Sequence, residues 1–162
     1  MKLLRHGPIG AERPGLLDSS GAIRDLSAHL AAFGSSALAP ASLARLAAID
    51  PATLPVVPTG TRIGAPVPRP VNFVCIGLNY VDHAAETGLP LPKEPIIFLK
   101  ASSAYSGPND DVIIPRGSTS TDWEVELGIV IGSPASYVPE NAALDHVAGY
   151  CVVNDVSERD YQ

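Results

Sequence analysis

Asp122-Trp123-Glu124-Val125-Glu126-Leu127-Gly128-Ile129-Val130-Ile131-Gly132 is the stretch from which the rest of the chain can be read. Strand side chains alternate between faces, so Glu124 and Glu126 share one face about 6.5–7 Å apart, and Trp123, Val125 and Leu127 take the other. A half-buried strand with two glutamates in water is one reading. The run Ile129-Val130-Ile131 that follows is apolar on both faces and predicts a strand covered on both sides. Carboxylates on a partly covered face must be neutralised, protonated or bound to a cation.

A second carboxylate follows Ala148-Gly149-Tyr150-Cys151-Val152-Val153, where an apolar strand runs into Asn154-Asp155. Asp155 at that position either caps a turn or helix or joins the glutamates. If the two strands are neighbours, three carboxylates converge. An all-oxygen set suits a hard divalent ion, Mg²⁺ first, with Mn²⁺ or Ca²⁺ as further candidates, and not zinc.

Composition bounds the function. The 162 residues carry 11 basic and 17 acidic side chains, net −6, with 46% hydrophobic and 17% charged residues, too apolar for a disordered chain. An acidic balance without a Lys/Arg stripe excludes a nucleic-acid surface. No apolar run reaches the ~20 residues of a spanning helix, and the N-terminus lacks the apolar region of a signal peptide. Cys75 and Cys151 sit in apolar runs without zinc spacing and read as reduced, buried residues of a cytoplasmic protein.

Fourteen glycines and sixteen prolines suit short strands joined by turns. The pattern predicts an α+β, mostly β fold. Helices are expected at 26–33 and 41–49, with a short one at 141–146. Strands are expected at 1–4, 73–77, 96–100, 112–115, 123–132 and 148–153, with a hairpin turning at Ser19-Ser20-Gly21. Six prolines between positions 51 and 70 place a boundary between a small β-rich N-terminal domain with its linker, 1–68, and a main domain, 69–162.

Four segments in order carry a resemblance: Gly77-Leu78-Asn79-Tyr80-Val81-Asp82-His83-Ala84-Ala85-Glu86; Phe98-Leu99-Lys100; the Asp122 to Leu127 run; and Gly149-Tyr150 through Asn154-Asp155-Val156-Ser157-Glu158-Arg159-Asp160. Their order and gaps resemble the fumarylacetoacetate hydrolase family, nearest to ureidoglycolate lyases and 2,4-diketo-3-deoxy-sugar-acid hydrolases. The resemblance covers Val71 to Gln162 and extends less tightly to the N-terminal strand and hairpin. It implies a mixed β-roll with its active site at one open end, a Mg²⁺ or Mn²⁺ cofactor, and a homodimer. It places the metal ligands on Glu124, Glu126 and Asp155, the catalytic pair on His83 and Glu86, and substrate contacts on Arg159 and Gln162.

The implied activity is hydrolysis of a C–C bond in a small 2,4-dioxo acid, with ureidoglycolate cleavage, isomerisation and decarboxylation as variants of one chemistry. Imidazole gains and loses protons near neutral pH, and Glu86 at i+3 shares a helical face with His83. Lys100 ends an apolar strand as either a substrate anchor or a solvated cation. Tyr80 either shapes the substrate pocket or packs as a core tyrosine. No Gly-x-Ser-x-Gly or phosphate-loop pattern is present. Relatives continue past the pattern that stops at Gln162, with a further Lys, more strands and a Gly-Thr-Pro loop. The chain is therefore expected to form an open roll whose site residues are present. The competing reading is an inactive remnant, or a chain that a second polypeptide completes.

Overall fold

The computed structural model describes residues 1–162. The chain folds into two compact units, one made of Met1–Pro68 with Gly107–Gln162 and the other of Arg69–Ser106. The first boundary falls in the proline-rich stretch. No helix is long and apolar enough to cross a membrane.

In the first unit, β1 (Lys2–His6), β2 (Arg13–Leu17), β3 (Ile23–Asp25) and β4 (Ile63–Gly64) form an antiparallel sheet in the order β3-β2-β1-β4. The β2–β3 turn lies where the sequence places it. Asp18 accepts from the Ser20 and Ala22 amides, and Gly21 supplies a positive φ of 86°. Helices α1 (Ser35–Leu38) and α2 (Pro40–Ala47) follow, the latter with proline in its first turn, where a missing amide costs nothing. Leu16, Leu26, Phe33, Leu46 and Leu54 form the core cluster, all of them within the first 68 residues.

The helix expected at 26–33 is absent: the chain turns at 27–29, bends at 31 and is irregular to 34. Asp25 accepts from the Ser27 amide, and the Leu26 amide is spent on Pro14 of β2. The His29 and Leu30 amides both donate to the Leu26 carbonyl, so a single turn forms and is not continued, too short a nucleus to propagate. Leu26 and Phe33 reach the core from an irregular segment instead, 0% and 1% exposed.

An ion-pair cluster joins the sheet to the segment that returns at Gly107. Arg62 grips both oxygens of Asp110 and reaches Glu12 at 3.1 Å, while Arg5 holds the other Glu12 oxygen at 2.8 Å. The strand expected at 112–115 does not form; Ile113 is exposed, and Pro115 removes a ladder donor.

Beyond it come β7 (Thr121–Asp122), β8 (Val125–Ile131), β9 (Val147–Asn154) and β10 (Ser157–Glu158). β8 pairs antiparallel with β9, and β7 with β10. The short helix expected at 141–146 is a 3-10 helix, Glu140–His146. Expected burial fails here: Val125, Leu127, Ile129 and Ile131 of β8, with Tyr150 and Val152 of β9, are exposed. Pairing into a two-stranded ribbon leaves this apolar face without cover.

The second unit holds β5 (Val74–Gly77), α3 (Val81–Thr87) and β6 (Ile96–Leu99), with β5 and β6 antiparallel. Gly88 in the left-handed region, φ 67°, ends α3. Phe73 packs edge-on against Tyr105 at 5.9 Å. Neither Cys75 nor Cys151 forms a disulfide, and both are partly exposed rather than buried.

Candidate active site

Register carries the site. Because β8 and β9 pair Val125 with Asn154 and Glu126 with Val153, Glu124 stands opposite Asp155 just beyond the last ladder pair. The Asp155 amide donates to the Glu124 carbonyl at 2.9 Å, and the Glu124 amide donates to Asn154 Oδ1 at 3.0 Å. Opposed residues of an antiparallel pair share a face, about 4.5–5.5 Å apart at Cβ, and Glu126 lies two residues along the same face. Glu124, Glu126 and Asp155 therefore line one side of the ribbon, with Gly128, Cys151 and Val153 beside them. That side is the less exposed one, Glu124 keeping 21% of its side-chain surface.

Arg159 lies immediately after β10. Its Nη1 is 2.6 Å from Glu124 Oε1, its Nε and Nη2 donate to Asp122 Oδ2 at 3.1 and 2.8 Å, and Nη1 also donates to Gln162 Oε1 at 2.8 Å. This hydrogen bonding holds the Asp122 carboxyl below the usual carboxylate range and raises the guanidinium. Glu158 Oε2 accepts from Ser118 and from Thr121, and those bonds lower its carboxyl too. Ser120 donates to Asp160, so β7 and β10 are clamped on both sides of Arg159. Asp122 received no role from the sequence, since its partner Arg159 lies 37 residues away and no local pattern links them.

His83 and Glu86 sit one turn apart on α3, both exposed, and no hydrogen bond or ion pair joins their side chains. Tyr80 precedes the helix and is 41% exposed, not a core tyrosine. Lys100, partly buried, follows β6 and donates its amide to Phe73. In the same unit, a cavity of about 200 Å³ is lined by Ile76, Gly77, Leu78, Asn79 and the segment Pro92 to Pro95. Leu78 there has φ 49°, a conformation rare outside glycine and kept only where surroundings impose it.

The family model for the C-terminal region of fumarylacetoacetate hydrolase matches residues 72–162. The chain belongs to the fumarylacetoacetate hydrolase family. A Burkholderia multivorans protein, whose name goes no further than an unconfirmed hydrolase, is 62% identical over all 162 residues. The chain spans 57% of that relative's length. The fumarylacetoacetate hydrolase of psychrophilic Exiguobacterium antarcticum matches the whole chain at 31% identity and a TM-score of 0.77, with 58% of its own length covered. A maleylpyruvate hydrolase from Sphingobium sp. SYK-6, solved with manganese(II) and pyruvate, matches 98% of the chain and 60% of its own at 25% identity and a TM-score of 0.76.

Glu124, Glu126 and Asp155 of this fumarylacetoacetate hydrolase-family chain are oxygen donors of the kind a hard divalent ion takes, and the register puts them on one face. As the side chains stand, no three His, Cys, Asp or Glu are gathered to hold a metal ion. Glu124 Oε1 is engaged by Arg159.

Proposed function

We propose that this chain carries the cation- and substrate-binding face of a hydrolase that splits a C–C bond of a small 2,4-dioxo acid. The observation that carries the reading is the register setting Glu124, Glu126 and Asp155 on one face of the β8–β9 ribbon. The manganese and pyruvate bound by the related maleylpyruvate hydrolase support it, since pyruvate is the fragment left when an acylpyruvate is cut. Mg²⁺ or Mn²⁺ held by the three carboxylates supplies Lewis-acid polarisation of the keto oxygen beside the substrate carboxylate.

The chain's own residues do the rest. Arg159 and Gln162, which the family resemblance assigns to substrate contact, and Lys100 and Tyr80 are the residues proposed for substrate binding. His83 takes a proton from water as the hydroxyl adds to the acyl carbonyl carbon. The C–C bond breaks with its electron pair going to the carbon that stays with the 2-oxo acid. His83 returns the proton there, and Glu86 orients the imidazole.

Purified full chain is expected to bleach acylpyruvate absorbance only with Mg²⁺ or Mn²⁺, and to deplete the electron-paramagnetic signal of free Mn²⁺. Glu126→Gln loses both. His83→Ala keeps Mn²⁺ binding and loses turnover by roughly 10²–10⁴-fold. A His83→Ala chain that fails to bind Mn²⁺ would show the division of roles to be wrong.

A second reading, cation binding without turnover, rests on the uncovered apolar faces of β8–β9 and of β5–β6. It predicts a melting transition raised by millimolar Mg²⁺ with no acylpyruvate loss.

A further inference from the structure

We infer that a cleft in the N-terminal part of the first unit, between the irregular 27–34 segment and helices α1 and α2, binds a small monocarboxylic acid with an apolar body, its carboxylate held by Arg45. Every residue of the cleft falls between His29 and Ile49, so the site stands apart in sequence from the carboxylate face of β8–β9.

The cleft exists because the helix expected at 26–33 stops after one turn. An irregular segment facing α2 leaves a space of about 590 Å³, within the roughly 300–1,000 Å³ of small-molecule sites. Leu46, a member of the core cluster, lines it together with Leu30, Ala37 and Ile49, which pack against that cluster and stay partly in water. Apolar side chains left half-wet in this way gain from a further apolar partner.

Charge selects the partner. No Asp or Glu lines the cleft, although acidic side chains outnumber basic ones in the chain by 17 to 11. Asp50, next to Ile49 in sequence, is turned to the Ala52 amide at 2.9 Å. Of the five arginines in the first 68 residues, Arg5, Arg13, Arg24 and Arg62 each hold a carboxylate. Arg45 holds none. Its Nη2 donates to Ser42 Oγ at 2.8 Å, and Ser42 Oγ donates in turn to the Ser36 carbonyl at 2.7 Å. This relay draws the guanidinium back along α2 to the cleft and away from the carbonyls at the helix end, where a cation of the last turn otherwise settles. Its remaining N–H donors form a planar fork that suits a carboxylate. One permanent cation beside apolar walls takes one negative charge and a hydrocarbon body.

The test uses the full chain in metal-free buffer, with octanoate, octanamide and acetate as probes. Binding is followed by calorimetry, and its place by the amide chemical shifts of the isotope-labelled chain. Octanoate is expected to bind and to move amide signals within residues 29–49. Arg45→Gln should weaken octanoate about tenfold and leave octanamide unchanged, because only charge-assisted bonds are lost. Ala32→Trp, at an exposed alanine of the cleft wall, should abolish binding of both while the chain stays folded. Acetate, with no body to bury, should bind at least about tenfold more weakly than octanoate.

Octanoate held equally well by Arg45→Gln overturns the place of the carboxylate. Shifts confined to other residues, or undiminished binding by Ala32→Trp, overturn the site itself. Acetate binding as tight as that of octanoate overturns the apolar body. No binding of octanoate at millimolar concentration overturns the whole inference and leaves the cation reading of β8–β9 untouched.

Discussion

His6 shows how one side chain can set a pH dependence. It is 4% exposed at the end of β1, and its Nε2 makes no hydrogen bond, lying 3.8 Å from Asp25 Oδ2. Burial is the main cause that lowers the imidazole below its ordinary value of 6.5, with Arg13 adding to it and Asp25 opposing. A depressed imidazole leaves the unfolded chain binding the extra proton first. Stability is therefore full above about pH 6.5 and falls as the pH drops below it. Melting temperatures at pH 7.5 and 5.5 should differ, and His6→Gln should shrink that difference. An unchanged difference would assign the effect to other groups. In the candidate site a single cation, Arg159, spans Asp122, Glu124 and Gln162.

At the scale of the element, the β8–β9 ribbon explains why glycine stands where it does. A Cβ on Gly128 would lie 2.6 Å from Val153 Cγ2 and 2.8 Å from Cys151 Sγ, on the same face as the glutamates. A Cβ on Gly149 would meet nothing within 4 Å. Gly128→Ala is therefore expected to cost about 1–3 kcal/mol and to disturb the spacing of Glu126 from Asp155, whereas Gly149→Ala is tolerated. Thermal melts of the two variants check this, and equal losses would contradict it. The alternation of Glu124 and Glu126 was legible in the sequence because a strand's period of two is local. The helix expected at 26–33 was not: its apolar spacing is real, but only one turn forms, at the Leu26 carbonyl, and Leu26 and Phe33 reach the core from an irregular segment.

For the whole molecule, the core and the carboxylate face occupy different stretches of the chain. Phe33, 1% exposed, packs with Leu16, Leu26, Leu46 and Leu54, whereas Leu127 and Val152 in the family-matched region are 59% and 80% exposed. Phe33→Ala should cost about 3–5 kcal/mol. Leu127→Thr with Val152→Thr should change stability by no more than about 0.5 kcal/mol each and reduce binding of an apolar dye. Denaturant melts and dye fluorescence separate the two cases. A large loss from the exposed pair would mean that those faces are covered in solution.

From its sequence alone the chain declared its family, its alternating glutamate strand and its hairpin turn at Ser19-Ser20-Gly21, because motif order and strand period are properties of neighbouring residues. Tertiary structure alone decided that Asp155 stands opposite Glu124, that Arg159 takes hold of Glu124 and Asp122, and that the apolar side of β8 faces outward. These follow from register and pairing between segments some thirty residues apart, and a one-residue slip, invisible in either segment by itself, would have turned every one of those side chains to the opposite face.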